Sequence, residues 1–260
     1  TASKLRGESG TRVLVEISSE SGEIREVDLE RRSVDLRPVR TKRLRDDFHT
    51  IGYLRITQFS ESVPKKVEEA LQELKEKDVE GLILDLRNNS GGLVSSGIAV
   101  ADSLLSEKPV VETKNRNGIK DAIISQKETS FDGPMVTLVN KGTASASEIL
   151  AGSLQDNGRS ILMGEQTYGK GLIQSLKSLG EDSGIAITVA SYLTPKGNNI
   201  QGQGMTPDKL LDLQDAKEYG SADDKWVRNA ELFLDSLLEE EEEEEVFIQT
   251  GKLSNVEMKT

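Results

Sequence analysis

Two short stretches of this 260-residue chain put reactive side chains where backbone donors are bared. The first is Leu138-Val-Asn-Lys-Gly-Thr-Ala-Ser-Ala-Ser-Glu-Ile-Leu150. A strand of buried type runs into small residues and then straight into a helix, so Ser145 falls at or just before a helix N-terminus. Free N–H groups and the positive end of the helix dipole lie there, and the tetrahedral oxyanion formed by a nucleophile would meet them. Thr143, Ser145 and Ser147 are also good helix caps, so these residues alone leave cap and nucleophile both open. The second stretch is Gly164-Glu-Gln-Thr-Tyr-Gly-Lys-Gly-Leu-Ile-Gln174. It sets Lys170 between two glycines, whereas surface lysines usually sit on helix faces. Its spacing is not the Gly-x-x-x-x-Gly-Lys-Ser/Thr of a phosphate loop. A lysine acting as base near pH 7 must titrate roughly three units below its usual value of about 10.4, which destabilises the ammonium by about 4–5 kcal/mol. Burial among apolar residues supplies this where no carboxylate touches the nitrogen. Gln174 is a neutral partner that could orient the amine without restoring its charge.

A third stretch, Asp85-Leu-Arg-Asn-Asn-Ser-Gly-Gly92, ends a buried strand in two glycines at a helix start. Exposed N–H groups there could form half of an oxyanion hole. A structural turn network is the role expected of Asp85 and Arg87.

Composition removes the competing chemistries. There is no cysteine, which excludes thiol nucleophiles, thiolate metal sites and disulfides. A single histidine, His49, excludes zinc sites built on two or three imidazoles. It lies in the polar stretch Arg45-Asp-Asp-Phe-His-Thr50 with no motif around it and reads as a surface-loop residue. No metal and no organic cofactor are implied. The net charge is −12, but seven of the 45 acidic residues form the run 239–245, and the remaining 38 nearly balance 33 lysines and arginines. Nucleic acid is not an expected partner, because phosphate binding needs clustered positive charge. The acidic run reads as a solvated, frayed helix end. No apolar stretch approaches the roughly 18–20 residues that span a bilayer.

These motifs need a frame, and the hydrophobic pattern supplies it. Strands are expected at 51–57, 81–86, 110–113, 135–139, 161–163 and 185–192, and helices at 63–77, 94–105 and 147–154. Alternation of this kind predicts an α/β fold, a sheet flanked by helices. Before it, a helix end at 3–10, a strand at 11–17 and a hairpin partner at 24–29 are too little to bury a core. Residues 31–50 read as a connector. A last helix is expected over 215–238, where Trp226, Ala230, Phe233 and Leu237 keep helical spacing.

Taken together and in order, 85–92, Gly142-Thr-Ala-Ser-Ala-Ser-Glu148, Gly169-Lys-Gly171 and Gly202-Gln-Gly-Met-Thr-Pro-Asp208 resemble the motifs of the C-terminal processing peptidases, also called tail-specific proteases. The resemblance runs through about 51–208. It implies a crotonase/Clp-like catalytic core in which Ser145 is the nucleophile, Lys170 the base and Gln174 its helper. It also implies oxyanion donors at Gly91, Gly92 and the amide of Ala146, while Glu148 matches a polar position of unassigned role. Ser90 stands where the family often has Gly or Pro. The wording around Ser145 and Lys170 is similar to the plant, algal and cyanobacterial enzymes that trim a photosystem II reaction-centre protein in the thylakoid lumen. Expected partners are therefore the C-terminal tails of protein substrates, with no stable membrane insertion. The resemblance implies three parts: 1–35 as the end of a PDZ domain lacking its carboxylate-binding loop, 36–212 as the Ser/Lys catalytic core, and 213–260 as a C-terminal helix with an acidic tail. The rival readings are a non-catalytic peptide-binding relic, an acyl-CoA enzyme and a Ser-Ser-Lys amidase. They fit the order and spacing of the motifs less well.

Overall fold

The computed structural model describes residues 2–19, 21–32, 37–45, 49–118, 120–180, 183–212, 216 and 218–257. It divides into two units, Thr1–Arg37 and Pro38–Thr260. In the first, a short helix α1 (Ala2–Leu5) precedes an antiparallel hairpin of β1 (Arg12–Ser18) and β2 (Ile24–Glu30), with Val15 opposite Val27. The Arg31 guanidinium fastens the helix to the hairpin, donating to the Lys4, Leu5 and Arg12 carbonyls.

The second unit runs β3 (Val39–Arg45), β4 (Thr50–Ile56), α2 (Val63–Lys75), β5 (Gly81–Asp85), α3 (Val94–Leu104), β6 (Pro109–Asn115), β7 (Lys120–Ile124), β8 (Met135–Val139), α4 (Ala146–Asp156), β9 (Ile161–Gly164), β10 (Leu172–Gly180), β11 (Ser183–Leu193), β12 (Lys209–Leu210) and α5 (Lys225–Glu257). Six strands form the main sheet in the order β12-β9-β8-β5-β4-β3. All its pairs are parallel except β3 against β4. Parallel strands need crossovers, and α2 and α4 supply two of them while α3 lies on the connection from β5 to β8. The strands β5 and β8 are buried along their whole length, so they read as continuous apolar runs.

Alternate residues of these strands serve two cores. Leu82 and Leu84 face one cluster with Leu71, Val100 and Leu150, from α2, α3 and α4. Ile83, Val136 and Leu138 face the other with Trp226, Ala230 and Leu234 of α5. The mixed α/β fold expected from the sequence is present. A second sheet joins it, antiparallel and in the order β10-β11-β6-β7.

Three expectations change. The connector 31–50 contains β3, an edge strand carrying Arg40, Lys42 and Arg43, charges that suit an edge. The last helix starts later and runs further than 215–238, so the acidic run lies within it rather than at a frayed end. His49 is not a surface residue. It is 7% exposed, with Nδ1 3.3 Å from Asp235 Oδ1 and Nε2 3.9 Å from Glu242 Oε1, because α5 folds back over it. Among the described residues no helix is long and apolar enough to cross a membrane.

The docking of α5 gives a test. Leu234→Ala removes a fully buried side chain and is expected to cost about 2–5 kcal/mol. Leu232→Ala, at a position 54% exposed, should stay within about 0.5 kcal/mol. Urea unfolding followed by emission of Trp226, the single tryptophan, measures both.

Candidate active site

Three turns meet beyond the C-terminal ends of β5, β8 and β9. The turn after β8 delivers Ser145 at the N-cap of α4 with φ 59° and ψ −119°, a left-handed backbone that a non-glycine residue holds only when its surroundings impose it. The surroundings are explicit. Ala144 N donates to Asn89 O (3.0 Å), Ser147 Oγ to the same carbonyl (2.9 Å), and Thr143 Oγ1 to Leu86 O (2.9 Å). Of the three hydroxyls that could cap this helix, Thr143 and Ser147 are thus committed to backbone carbonyls. Ser145 Oγ donates to no protein acceptor among the described residues.

The loop after β9 is tied to this turn by one carboxylate. Glu148 is fully buried. Its Oε2 accepts from Ser145 N (2.8 Å) and Lys170 N (2.9 Å). Its Oε1 accepts from Thr167 Oγ1 (2.5 Å) and Gly169 N (2.6 Å). The opposite side of the loop is closed by Gly171 N donating to Gln201 Oε1 and Gly202 N to Gly169 O, both at 2.9 Å. Gly169 has φ 87°, and a Cβ there would lie 2.7 Å from Gly204 N, so only glycine permits the approach. Sequence reasoning left Glu148 without a role. The signal for it was the capping-box pattern Ser145-Ala-Ser-Glu148.

The turn after β5 touches the nucleophile directly. Gly91 has φ 98°, and a Cβ on it would stand 2.8 Å from Ser145 Cβ and 3.1 Å from Ala146 N. Its own N–H donates to Asn89 Oδ1 at 2.9 Å, which removes it from the expected set of oxyanion donors. Gly92 N and Ala146 N have no protein acceptor among the described residues. Arg87 lies on the same side as Asp85, as residues two apart in an extended segment do. Its Nε and Nη2 return to that carboxylate at 3.0 and 2.7 Å. Tyr53 donates to Asp85 as well (2.6 Å), and burial followed by the Asp85 charge raises its phenol well above the ordinary range.

Ser145, Lys170, Gln174 and Gly92 line one cavity of about 580 Å³. Its other walls are mostly apolar, with Val94, Ile98, Val111, Ile123, Leu172 and Ile173 among them. Tyr192 is there too, its hydroxyl raised to about 12 by burial. The structure therefore brings four of the six expected residues to one hollow, Gly91 and Ala146 not being among its lining. The Lys170 side chain is exposed rather than buried, and no hydrogen bond joins its Nζ to Ser145 Oγ. Its backbone is pinned by Glu148.

A serine on a strained turn at a helix N-terminus, beside a lysine and unspent backbone donors, is the equipment of an acyl-transfer hydrolase. Residues 50–211 match peptidase family S41, and the chain belongs to that family. It is 46% identical over 215 residues to a carboxyl-terminal-processing protease of Synechocystis sp., covering 81% of this chain and 50% of that protein. It is 42% identical over 223 residues to carboxyl-terminal-processing peptidase 3, chloroplastic, of Arabidopsis thaliana, covering 80% and 42%. Among solved structures it is similar to a photosystem II D1 C-terminal processing protease, with a TM-score of 0.67, 37% identity, and 79% and 57% of the two chains covered. The chain spans about half the length of the relatives it matches.

Glu148→Gln tests the junction. The amide nitrogen would face N–H donors in place of an acceptor oxygen, leaving at least one buried donor unpaired at about 1–3 kcal/mol. The expected result is a loss of that order in chemical denaturation and faster hydrogen exchange at the Gly169 and Lys170 amides. Unchanged exchange there would show that the carboxylate does not hold the loop.

Proposed function

We propose that this chain carries the catalytic part of a serine endopeptidase that cleaves protein substrates near their C-termini. Ser145 Oγ attacks the scissile carbonyl carbon while the neutral Lys170 amine takes its proton. The oxyanion accepts hydrogen bonds from Gly92 N and Ala146 N. As the C–N bond breaks, the Lys170 ammonium returns the proton to the leaving amine. Water then repeats the sequence on the acyl-enzyme. Gln174 orients the amine, and Gly91 contributes close contact rather than a donor.

The observation that carries this reading is the shared cavity: a strained Ser145 with an uncommitted hydroxyl proton and Lys170 on its wall, in a chain of peptidase family S41. Open geometry in a site without substrate agrees with the reading, since catalytic hydrogen bonds commonly tighten only when substrate binds. An apolar substrate tail in the cavity excludes water from the Lys170 amine and favours its neutral form.

The physiological substrate we propose is the precursor of a photosystem II reaction-centre protein, processed in the thylakoid lumen of a chloroplast or cyanobacterium. The chloroplastic and cyanobacterial relatives support this assignment. The helix and hairpin at the start of the chain are proposed as the end of a PDZ domain, a module that grips chain ends by strand addition.

Ser145→Ala and Lys170→Ala should each slow cleavage of a peptide with an apolar, unstructured tail by about a thousandfold or more. A fluorophosphonate should label Ser145 in the wild-type chain. Full activity in Lys170→Ala would remove the lysine from the chemistry, and a wild-type chain that is neither labelled nor active would sink the peptidase reading.

A further inference from the structure

The Arg87 guanidinium is completely buried and serves two carboxylates. Beyond its bonds to Asp85, it makes a bidentate pair with Asp224, Nη1 to Oδ1 at 3.1 Å and Nη2 to Oδ2 at 2.6 Å. Asp224 is 1% exposed and stands one residue before α5, beyond the 50–211 match to the peptidase family. It also accepts from Gly220 N (2.9 Å) and Trp226 N (3.1 Å). Its carboxyl is held below the ordinary carboxylate range, because the Arg87 hydrogen bonds and the backbone donors outweigh the opposing effect of burial.

The same short segment braces the turn at two further points. The Tyr219 ring lies 4.0 Å from the Arg55 guanidinium and 4.6 Å from that of Arg87, and Asn88 Nδ2 donates to the Tyr219 hydroxyl. Arg55 adds a bond to the Arg87 carbonyl (3.0 Å) and lies 2.8 Å from Asp85. Two buried cations and two buried anions thus surround the turn, and one of the anions comes from the segment that launches α5.

We propose that Asp224 is a positioning residue for the peptidase reaction, which holds the 86–92 turn against Ser145 through Arg87. The proposal rests on the function proposed above. Asn89 O fixes both Ala144 and Ser147, and Gly91 abuts Ser145 and Ala146, so a displaced turn misaligns the oxyanion donors. The apolar walls that would bind substrate come from α3, β6, β7 and β10, which Asp224 does not touch. Loss of Asp224 should therefore weaken the transition state and spare substrate binding.

Asp224→Asn keeps the size of the side chain and its capacity to cap α5, but leaves Arg87 short of one charge. Asp235→Asn removes a buried acid of α5 whose partner described above is His49, about three helical turns along from Asp224. Both full-length variants are assayed with a peptide bearing an apolar tail. Rates are normalised to the fraction folded by Trp226 emission and to Ser145 titrated with fluorophosphonate. Asp224→Asn should lower kcat by about tenfold or more with KM within about twofold, part of the effect of losing an oxyanion donor. Asp235→Asn should change neither. Wild-type kcat in folded Asp224→Asn, a change confined to KM, or an equal fall in Asp235→Asn overturns the proposal while leaving the peptidase reading intact. If Asp224→Asn does not fold, Tyr219→Phe decides. It keeps every charge and removes only the hydroxyl at Asn88, so a fall confined to kcat supports the proposal and an unchanged kcat overturns it. A wild-type chain without labelling or cleavage overturns the underlying reading and this one with it.

Discussion

A buried carboxylate with no cation beside it among the described residues is the constraint on which the candidate site depends. Glu148 cannot shed its charge into water, so it must be met by hydrogen-bond donors. All four described donors come from two segments, the N-terminus of α4 and the loop after β9. The helix end offers unpaired N–H groups and a favourable dipole. The loop offers two amides that glycine leaves unobstructed. Neither segment satisfies the carboxylate alone, and so each fixes the conformation of the other. The strained φ of Ser145 is sustained by this mutual demand, and Lys170 acquires a fixed backbone position relative to it although 24 residues separate them in sequence.

Topology explains why motifs so far apart in the chain can make such demands on each other. The strands β9, β8 and β5 are adjacent and parallel, so the turns that leave them emerge side by side at one edge of the sheet. In open α/β sheets this is where ligands bind. The remaining requirement is close approach. Gly91 meets it against Ser145, and Gly92 meets it against Phe59, where a Cβ would lie 2.0 Å from the carbonyl oxygen. The paired glycines of the turn thus serve contact first, and only the second leaves its N–H unspent.

What the sequence disclosed follows the same physics. Strands buried on both faces, such as β5 and β8, announce themselves as apolar runs, and α2 as a regular apolar stripe. The second sheet was half hidden, since much of β10 and β11 is exposed and carries mixed polar and apolar side chains. Edge strand β3 was hidden by its own arginines. The candidate residues could be named from motif order, but their partners could not. His49 is buried by Asp235, 186 residues away, and no local pattern reports such a pairing. The engagement of the Gly91 amide is likewise invisible, because it depends on how the Asn89 side chain turns back into its own loop.

The exposed Lys170 side chain bears on how such a site could work. A base lysine buried permanently would cost the folded protein the desolvation of an ammonium, or would lie neutral and reactive in an empty site. Here the polypeptide pins the backbone of Lys170 and leaves its side chain exposed on the wall of an apolar hollow. On the proposed mechanism the missing desolvation must come from the substrate. A tail apolar enough to fill the walls lined by Val94, Ile98, Val111 and Ile123 displaces the water that stabilises the ammonium. A polar tail would leave that water in place. Binding and activation of the base then select for the same property of the substrate, so part of the specificity is expressed in the rate of chemistry rather than in affinity.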